Sequence, residues 1–531
     1  MRFAAAGATE EADAVEPAAG PAWPRWIFAA VVALYVVPFW VAPYAPTNDG
    51  GSHLYNAWVL GQLASPAPAT ALRAHFEVNR QPLPNWLTHV ALAALLRVAA
   101  PPAAEKILLS SYVLLLAAGL WYLAGAVDRR RAWLALLGLP LLWTTLLQMG
   151  FYNFCYSLAF FLFALGLWWR RRTAPGWRLA VELNLLLALC YFAHIVSALL
   201  ALGGIAVLWL ASWRAERRRG HWLHLAIVAS AAILPLWFLV SRRDAPPVPS
   251  QAPVTALWSD LARLAPLDVF TAEGGATGHI LAVLFAAWVG FTLWRRRQEP
   301  AWREEDGFLV LAALLAGAYF AGPEGAAGGQ LLKPRLLLYP FLAVLPWLSC
   351  RLGRWGTPAA VTGLALLAAR PALYAVDGYR AASRQVAAFT AAFDAVPAGS
   401  VVVPLLFDRR PPAGLRVPVL AHAAGYAAIA KGLVDWDDYE AATDLFPLRF
   451  RAGAGHQDRE PIESDPAHVS LRRLETHVDT LVCWHLPAAS PMAARLAARY
   501  RLLAAGDEFR VYATARAGGP PPARPTTVPP P

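Results

Sequence analysis

The chain has 531 residues, 58% of them hydrophobic and only 15% charged, with a mean hydropathy of +0.42; this balance excludes an ordinary soluble globular protein and points to an integral membrane protein. The net charge of +11 reads as membrane topology rather than nucleic-acid binding, because the arginines fall in short clumps between apolar runs. Of the four cysteines, Cys155, Cys190 and Cys350 lie in apolar runs and Cys483 has no evident partner, so neither a disulfide framework nor a zinc spacing is implied.

Residues 1–24 form an Ala-rich, acidic stretch without the apolar core of a signal peptide, and read as a disordered cytoplasmic tail. Trp26 to Pro43 is the first span, entered from Arg25 and left through Tyr44-Ala-Pro46-Thr-Asn-Asp49-Gly-Gly-Ser-His53, so this polar stretch emerges outside. The next apolar run, Asn85 to Val98, lies along the outer interface; were it to cross, the clusters Arg129 to Arg131 and Arg170 to Arg172 would both fall outside, against the positive-inside rule. Further spans are expected at Ile107 to Val127, Ala132 to Gln148, Phe154 to Trp169, Trp177 to Ala193, Ile195 to Trp213, Trp222 to Val240, His279 to Trp294, Phe308 to Gly322, Leu336 to Leu352 and Thr357 to Tyr374. With the first helix they make about eleven. The fold class is thus an α-helical polytopic membrane protein, its membrane domain at 25–374 with a first external loop at 44–106.

After Tyr374 the composition becomes that of a soluble domain. Val376 to Val396 and Pro491 to Arg501 read as helices, and Ser400 to Phe407, Val478 to Trp484 and Phe509 to Thr514 as strands, giving a small external α/β domain over 375–515. Residues 516–531 are a Pro-rich disordered tail.

Polar residues gather in the first external loop: Asp49, His53, His75, Glu77, Arg80 and His89. Asp49 stands where a helix beginning at Gly51 would have its N-cap, so the plain reading is a capped interfacial helix; long polar loops beside a membrane are commonly functional. The external pair Lys333-Pro-Arg335 is an exception to a charge bias that otherwise keeps arginines inside, and Arg335 is read either as a ligand or as a snorkelling interfacial residue. His194 falls at an external helix end, and Tyr152 and Asn153 in the short second loop. The acidic aromatic run Asp435-Trp-Asp437-Asp438-Tyr-Glu440 reads as an exposed loop and helix start.

An acidic residue just after the first span, an interfacial helix in the first loop, a short polar second loop and an external C-terminal domain together resemble the multi-spanning GT-C-type glycosyltransferases. That group includes protein O-mannosyltransferases, lipid A aminoarabinose transferases and oligosaccharyltransferase catalytic subunits, which use polyprenyl-phosphate or polyprenyl-diphosphate sugars. Asp49 matches the family's acidic residue, and Asn79-Arg80-Gln-Pro-Leu-Pro84-Asn85-Trp86 looks like its basic-Pro-Pro-Leu segment, in which the basic residue holds the donor phosphate. The resemblance implies a transfer of sugar from a polyprenyl-phosphate donor to an acceptor hydroxyl at the outer face of a bacterial-type inner membrane. Asp49 would be the catalytic base, Arg80 and Arg335 the phosphate ligands, and His53, Tyr152, Asn153 and His194 substrate-binding residues.

Two features depart from the family. The second loop, Gln148 to Asn153, carries no carboxylate where many relatives have one, and a glycine follows Asp49 where several have a second acid, so Asp49 is expected to work with arginines. No cofactor is assigned; Asp49 and His53 could give two ligands to a divalent metal, whose remaining ligands are not identifiable. The expected partners are a polyprenyl-phosphate-linked sugar, the lipid bilayer, and a glycan, lipid or protein acceptor. A transporter or flippase of lipid-linked glycan intermediates is the alternative, but it predicts paired inverted halves, and none is visible.

Overall fold

Runs of Ala, Leu, Val and aromatic residues without charge favour helices that satisfy their own backbone, and among the described residues of the computed structural model six helices are long and apolar enough to cross a membrane. They are Trp23–Trp40, Pro101–Ala124, Tyr152–Arg171, Gly220–Ser241, Ala276–Arg296 and Gly356–Ala395. The structure describes residues 22–66, 70–213, 218–298, 300–454, 462 and 464–517. The acidic N-terminal stretch up to residue 21, residues 214–217 of the Arg214 cluster and the Pro-rich stretch from 518 onward lie outside them. Tyr152–Arg171 is buried along nearly its whole length, whereas Gly220–Ser241 and Ala276–Arg296 turn most of their surface outward. Outward-facing Leu236, Val240 and Val283 form the apolar exterior such helices need in lipid.

The eleven expected spans are not all long helices, and prolines account for several differences. Between Leu332 and Trp347 the chain is broken into Leu332–Leu336, Tyr339–Val344 and a 3-10 turn Leu345–Trp347, with Pro334, Pro340 and Pro346 each removing a backbone donor. The expected span at Ala132 to Gln148 is a buried 3-10 helix, Arg129–Leu142, followed by a short α-turn, Thr145–Gln148. At ~2.0 Å per residue a 14-residue 3-10 helix reaches about 28 Å, close to the thickness of a hydrocarbon core. Trp177–Ala193, Ile195–Ala211 and Asp306–Ala321 are shorter apolar helices. Leu87–Leu95, in the run Asn85 to Val98, has only nine residues, about 14 Å, or half of a crossing.

Among the described residues, the clusters that hold Arg131, Arg172 and Arg296 gather at one end. Arg131 and Arg296 pair with Glu305, Arg172 with Glu304, and Arg296 also with Asp306. The helix Tyr152–Arg171 runs from the Asp49 region to this basic end over 20 residues, about 30 Å.

The last bundle helix does not stop at Tyr374. Gly356–Ala391 is one helix of 36 residues, about 54 Å long, carrying the chain directly into the C-terminal domain. That domain holds a five-stranded sheet in the order Val434–Asp435, Val401–Leu406, Thr480–Trp484, Phe509–Ala513, Arg501–Ala505. The first three strands are parallel, with Val402 opposite Thr480 and Leu406 opposite Trp484, and Phe509–Ala513 runs antiparallel to both of its neighbours. A further strand pair ties this domain to the first loop: Phe76–Val78 runs antiparallel to Leu448–Phe450, with Phe76 opposite Phe450, and Glu77 pairs with Arg449 at 2.8 Å.

Candidate functional site

The helix Gly50–Leu63 forms the floor of the site, and glycines let two backbones meet over it. A Cβ on Gly51 would lie 2.3 Å from the His422 carbonyl oxygen, and one on Gly425 would lie 2.1 Å from the Gly51 carbonyl oxygen. No side chain fits between the first loop and the C-terminal domain there. On the opposite side, Asn48 and Asp49 donate their backbone N–H groups to the carbonyls of Gln148 and Met149 at 2.9 and 3.1 Å. Gly150 then turns away at φ +91°, where a Cβ would press on Asp49 at 2.8 Å.

Asp49 is 6% exposed and sits at the helix N-cap without a side-chain cap bond. Its Oδ1 accepts from Asn48 Nδ2 at 2.9 Å and lies 3.6 Å from His422 Nε2, and the Tyr439 hydroxyl bonds to the carboxylate. Burial pushes its pKa above the ordinary carboxylate range, against the pull of His422 and His53. The result is a carboxylate more basic than a surface aspartate.

The His53 ring makes its contacts with Glu440 and Gly150. Its Nδ1 lies 2.7 Å from Glu440 Oε1, and its Nε2 lies 2.7 Å from the Gly150 carbonyl oxygen. His89, on Leu87–Leu95, places Nε2 2.5 Å from Glu440 Oε2 and Nδ1 3.0 Å from the Asn85 carbonyl. All three residues are buried, and their ligand atoms lie within 4.8 Å of one another. Burial opposes charge at His53, but Glu440, Asp49 and the Gly150 carbonyl outweigh it and push its pKa up to about 9. For Glu440, burial favours the neutral acid, yet the two histidines hold the carboxyl well below its usual range.

Glu440 is fixed from behind. Its backbone N–H donates to Asp438 Oδ1 at 3.1 Å, and Asp438 accepts from Asn56 Nδ2 at 2.9 and 3.0 Å and from Ser52 Oγ at 3.2 Å. Tyr55 adds a further tie, donating to the Leu433 carbonyl at 2.9 Å and accepting from Asp435 N–H at 3.0 Å. The run Asp435 to Glu440, expected to be exposed, is therefore a buried part of the site: Asp435, Asp438 and Glu440 are 8%, 3% and 0% exposed. Beside it Glu105 accepts from Tyr152 at 2.7 Å and from Tyr426 at 2.6 Å. With its proton on Glu105, the Tyr152 hydroxyl accepts from Thr47 at 2.7 Å.

Arg335 lies on the other flank. Its guanidinium covers the ring of Phe151 at 4.6 Å and approaches that of Phe154 at 5.6 Å. One terminal nitrogen donates to the Gln330 carbonyl at 2.6 Å, whereas Nε is buried without a hydrogen-bond partner among the described residues. Burial lowers its pKa to about 10, against a smaller raising influence that includes Asp49. It borders an apolar cavity of about 250 Å³ lined by Pro84, Asn85, His194, Leu200, Phe238, Leu332 and Leu336 among others. Asn85, in the left-handed region at φ 69°, joins this cavity to the histidine cluster through its carbonyl.

The remaining expected site residues fall around these two features. His194 lines the cavity and caps Ile195–Ala211 by accepting from Val196 N–H at 3.2 Å. Asn153 acts on the backbone: its Oδ1 accepts from Thr88 N–H at 2.9 Å and its Nδ2 donates to the Asn85 carbonyl at 3.1 Å. Arg80 is exposed on the loop after Phe76–Val78 and has no side-chain hydrogen bond or ion pair with the described residues. Lys333 donates to the carbonyls of Tyr319 and Phe320, closing the end of Asp306–Ala321.

Neither protein-family models nor curated proteins match the chain.

Proposed function

We propose that the protein is a membrane glycosyltransferase that moves a sugar from a polyprenyl-phosphate donor to an acceptor hydroxyl, with inversion, at the outer face of a bacterial-type inner membrane. The observation that carries this reading is Arg335, a guanidinium with a buried, unpartnered Nε at the wall of an apolar cavity. A lipid-linked phosphate presents the complementary chemistry, an anion on an apolar tail. Gathering of the arginine clusters at the far end of Tyr152–Arg171 supports placing the Asp49 end outside.

In the proposed reaction the acceptor oxygen attacks the anomeric carbon while the bond from that carbon to the phosphate oxygen breaks. The electron pair leaves with the polyprenyl phosphate, held by Arg335, and the hydroxyl proton passes to Asp49. Asp49 suits this task because its carboxylate is buried and not committed to capping its helix. Arg80, exposed on the same loop system, would meet the donor as it enters.

The test is a reconstituted assay with a polyprenyl-phosphate sugar, following release of free polyprenyl phosphate. Asp49→Asn is expected to lower kcat by ~10²–10⁴-fold, the usual worth of a general base, while still reaching the membrane. Arg335→Ala should raise the donor KM by about tenfold or more, the loss of a charged hydrogen bond. Full turnover by Asp49→Asn rules out its role, and movement of donor across the bilayer without cleavage would make the protein a transporter.

A further inference from the structure

The cluster of His53, His89 and Glu440 has a feature that hydrogen bonding alone does not account for. Each ring has one nitrogen against a backbone carbonyl, Gly150 for His53 and Asn85 for His89. A carbonyl only accepts, so those nitrogens carry the ring protons. In the neutral rings the other nitrogens, His53 Nδ1 and His89 Nε2, present lone pairs to the two oxygens of one carboxylate at 2.7 and 2.5 Å. Four electron-rich atoms cannot converge in a dry interior without a cation between them.

A second proton on each ring is one way to supply positive charge, and for His89 the geometry allows it. For His53 the fit is poorer: Nδ1 and Glu440 Oε1 are 2.7 Å apart and attract each other, yet neither atom has a well-directed hydrogen bond among the described residues, so a ring N–H there meets the oxygen off its best line. A metal ion has no such demand, because the imidazole lone pair and the carboxylate need only aim at a shared third point. The surroundings already have the form of a metal site: each histidine is oriented by a carbonyl on its far nitrogen, and the carboxylate by the turn that Asp438 anchors.

We infer that His53 Nδ1, His89 Nε2 and the Glu440 carboxylate bind one divalent transition-metal ion of the Zn²⁺ class, which clamps the C-terminal domain onto the first loop. Two imidazoles and a carboxylate suit Zn²⁺ better than Mg²⁺ or Ca²⁺, which prefer oxygen ligands throughout. The ligands come from three separate elements: the helix Gly50–Leu63, the helix Leu87–Leu95 and the turn at Glu440. Binding therefore joins segments far apart in the chain, and the free energy of metal binding becomes free energy of docking. Asp49 is not in this set and faces His422 instead. The inference does not depend on the transferase reading, since its readout is metal content and not turnover.

The experiment is elemental analysis of the full chain purified in detergent without chelators. About one zinc or other divalent transition-metal ion per chain is expected, with Glu440→Gln and His89→Ala lowering metal affinity by at least ~10–100-fold. As these variants could lose their fold, the wild-type protein is also stripped with a chelator and refilled with Co²⁺. Visible d–d absorption of a four- or five-coordinate ion is expected, and His89→Cys should keep the metal and add a sulfur-to-cobalt charge-transfer band. A monodisperse wild-type protein that holds no such metal and takes up neither Zn²⁺ nor Co²⁺ overturns the inference. So does metal whose binding is unchanged by both Glu440→Gln and His89→Ala, because it must then sit elsewhere.

Discussion

Asp435 is a buried carboxyl of the C-terminal domain with little to hold its charge. Burial pushes its pKa up to about 6, only partly offset by the Asp437 N–H that it accepts at 3.1 Å and by His422. The sign follows directly: a carboxyl whose folded pKa lies above its unfolded value of 3.8 is more protonated in the folded chain, so stability falls as pH rises from about 4 to about 6 and stays lower above that. The span of the shift corresponds to about 3 kcal/mol at most. Asp435→Asn keeps an oxygen for the Asp437 N–H and removes the titration. Its apparent Tm should exceed that of the wild type at pH 8 and approach it near pH 4; an equal difference at both values would show that Asp435 is not the source.

At the scale of elements, the short helix Leu87–Leu95 owes its position to one side chain from another helix. Asn153, at the start of Tyr152–Arg171, takes the buried Thr88 N–H and gives a donor to the Asn85 carbonyl, so it holds the turn that carries His89. Asn153→Ala leaves that N–H unsatisfied, at a cost of about 1–3 kcal/mol, visible as a lower Tm in detergent; no change would mean that the helix is held by packing alone. Apolar runs such as Ile107 to Val127, Phe154 to Trp169 and His279 to Trp294 announced their helices, because a helix in lipid needs only sustained hydrophobicity. Hydrophobicity does not specify the backbone form within such a run. Prolines divided Leu332 to Trp347, and Arg129–Leu142 tightened to a 3-10 helix while keeping its hydrophobic content. Phe76–Val78 and Leu448–Phe450, three residues each, are too short to show a period of two.

Across the whole molecule, the site is shared between the first loop and the distant C-terminal domain, and this explains which parts were legible. Asp49, His53 and His89 stood out as polar residues among apolar spans. Glu440 lies 351 residues beyond His89, in an acidic run that reads as surface until the Gly50–Leu63 helix covers it. No local pattern encodes that docking, except the glycines that make it sterically feasible. Gly425 meets the carbonyl of Gly51 so closely that a Cβ would lie 2.1 Å from its oxygen and 2.5 Å from its carbon, and backbone atoms cannot rotate aside as a side chain does. Gly425→Val must therefore push the two segments apart, with an overpacking cost of about 1–3 kcal/mol or more. If docking is a single event, amide hydrogen exchange should rise together in 48–66, 76–92 and 434–450, because the Phe76–Phe450 strand pair, the Asn56–Asp438 bonds and the His53–Glu440 contact all cross the same boundary. The buried helix Tyr152–Arg171 should keep its protection, since its packing within the bundle does not depend on that boundary. Faster exchange confined to 420–430 would instead mean that the two parts adapt locally, and that each contact across the boundary forms on its own.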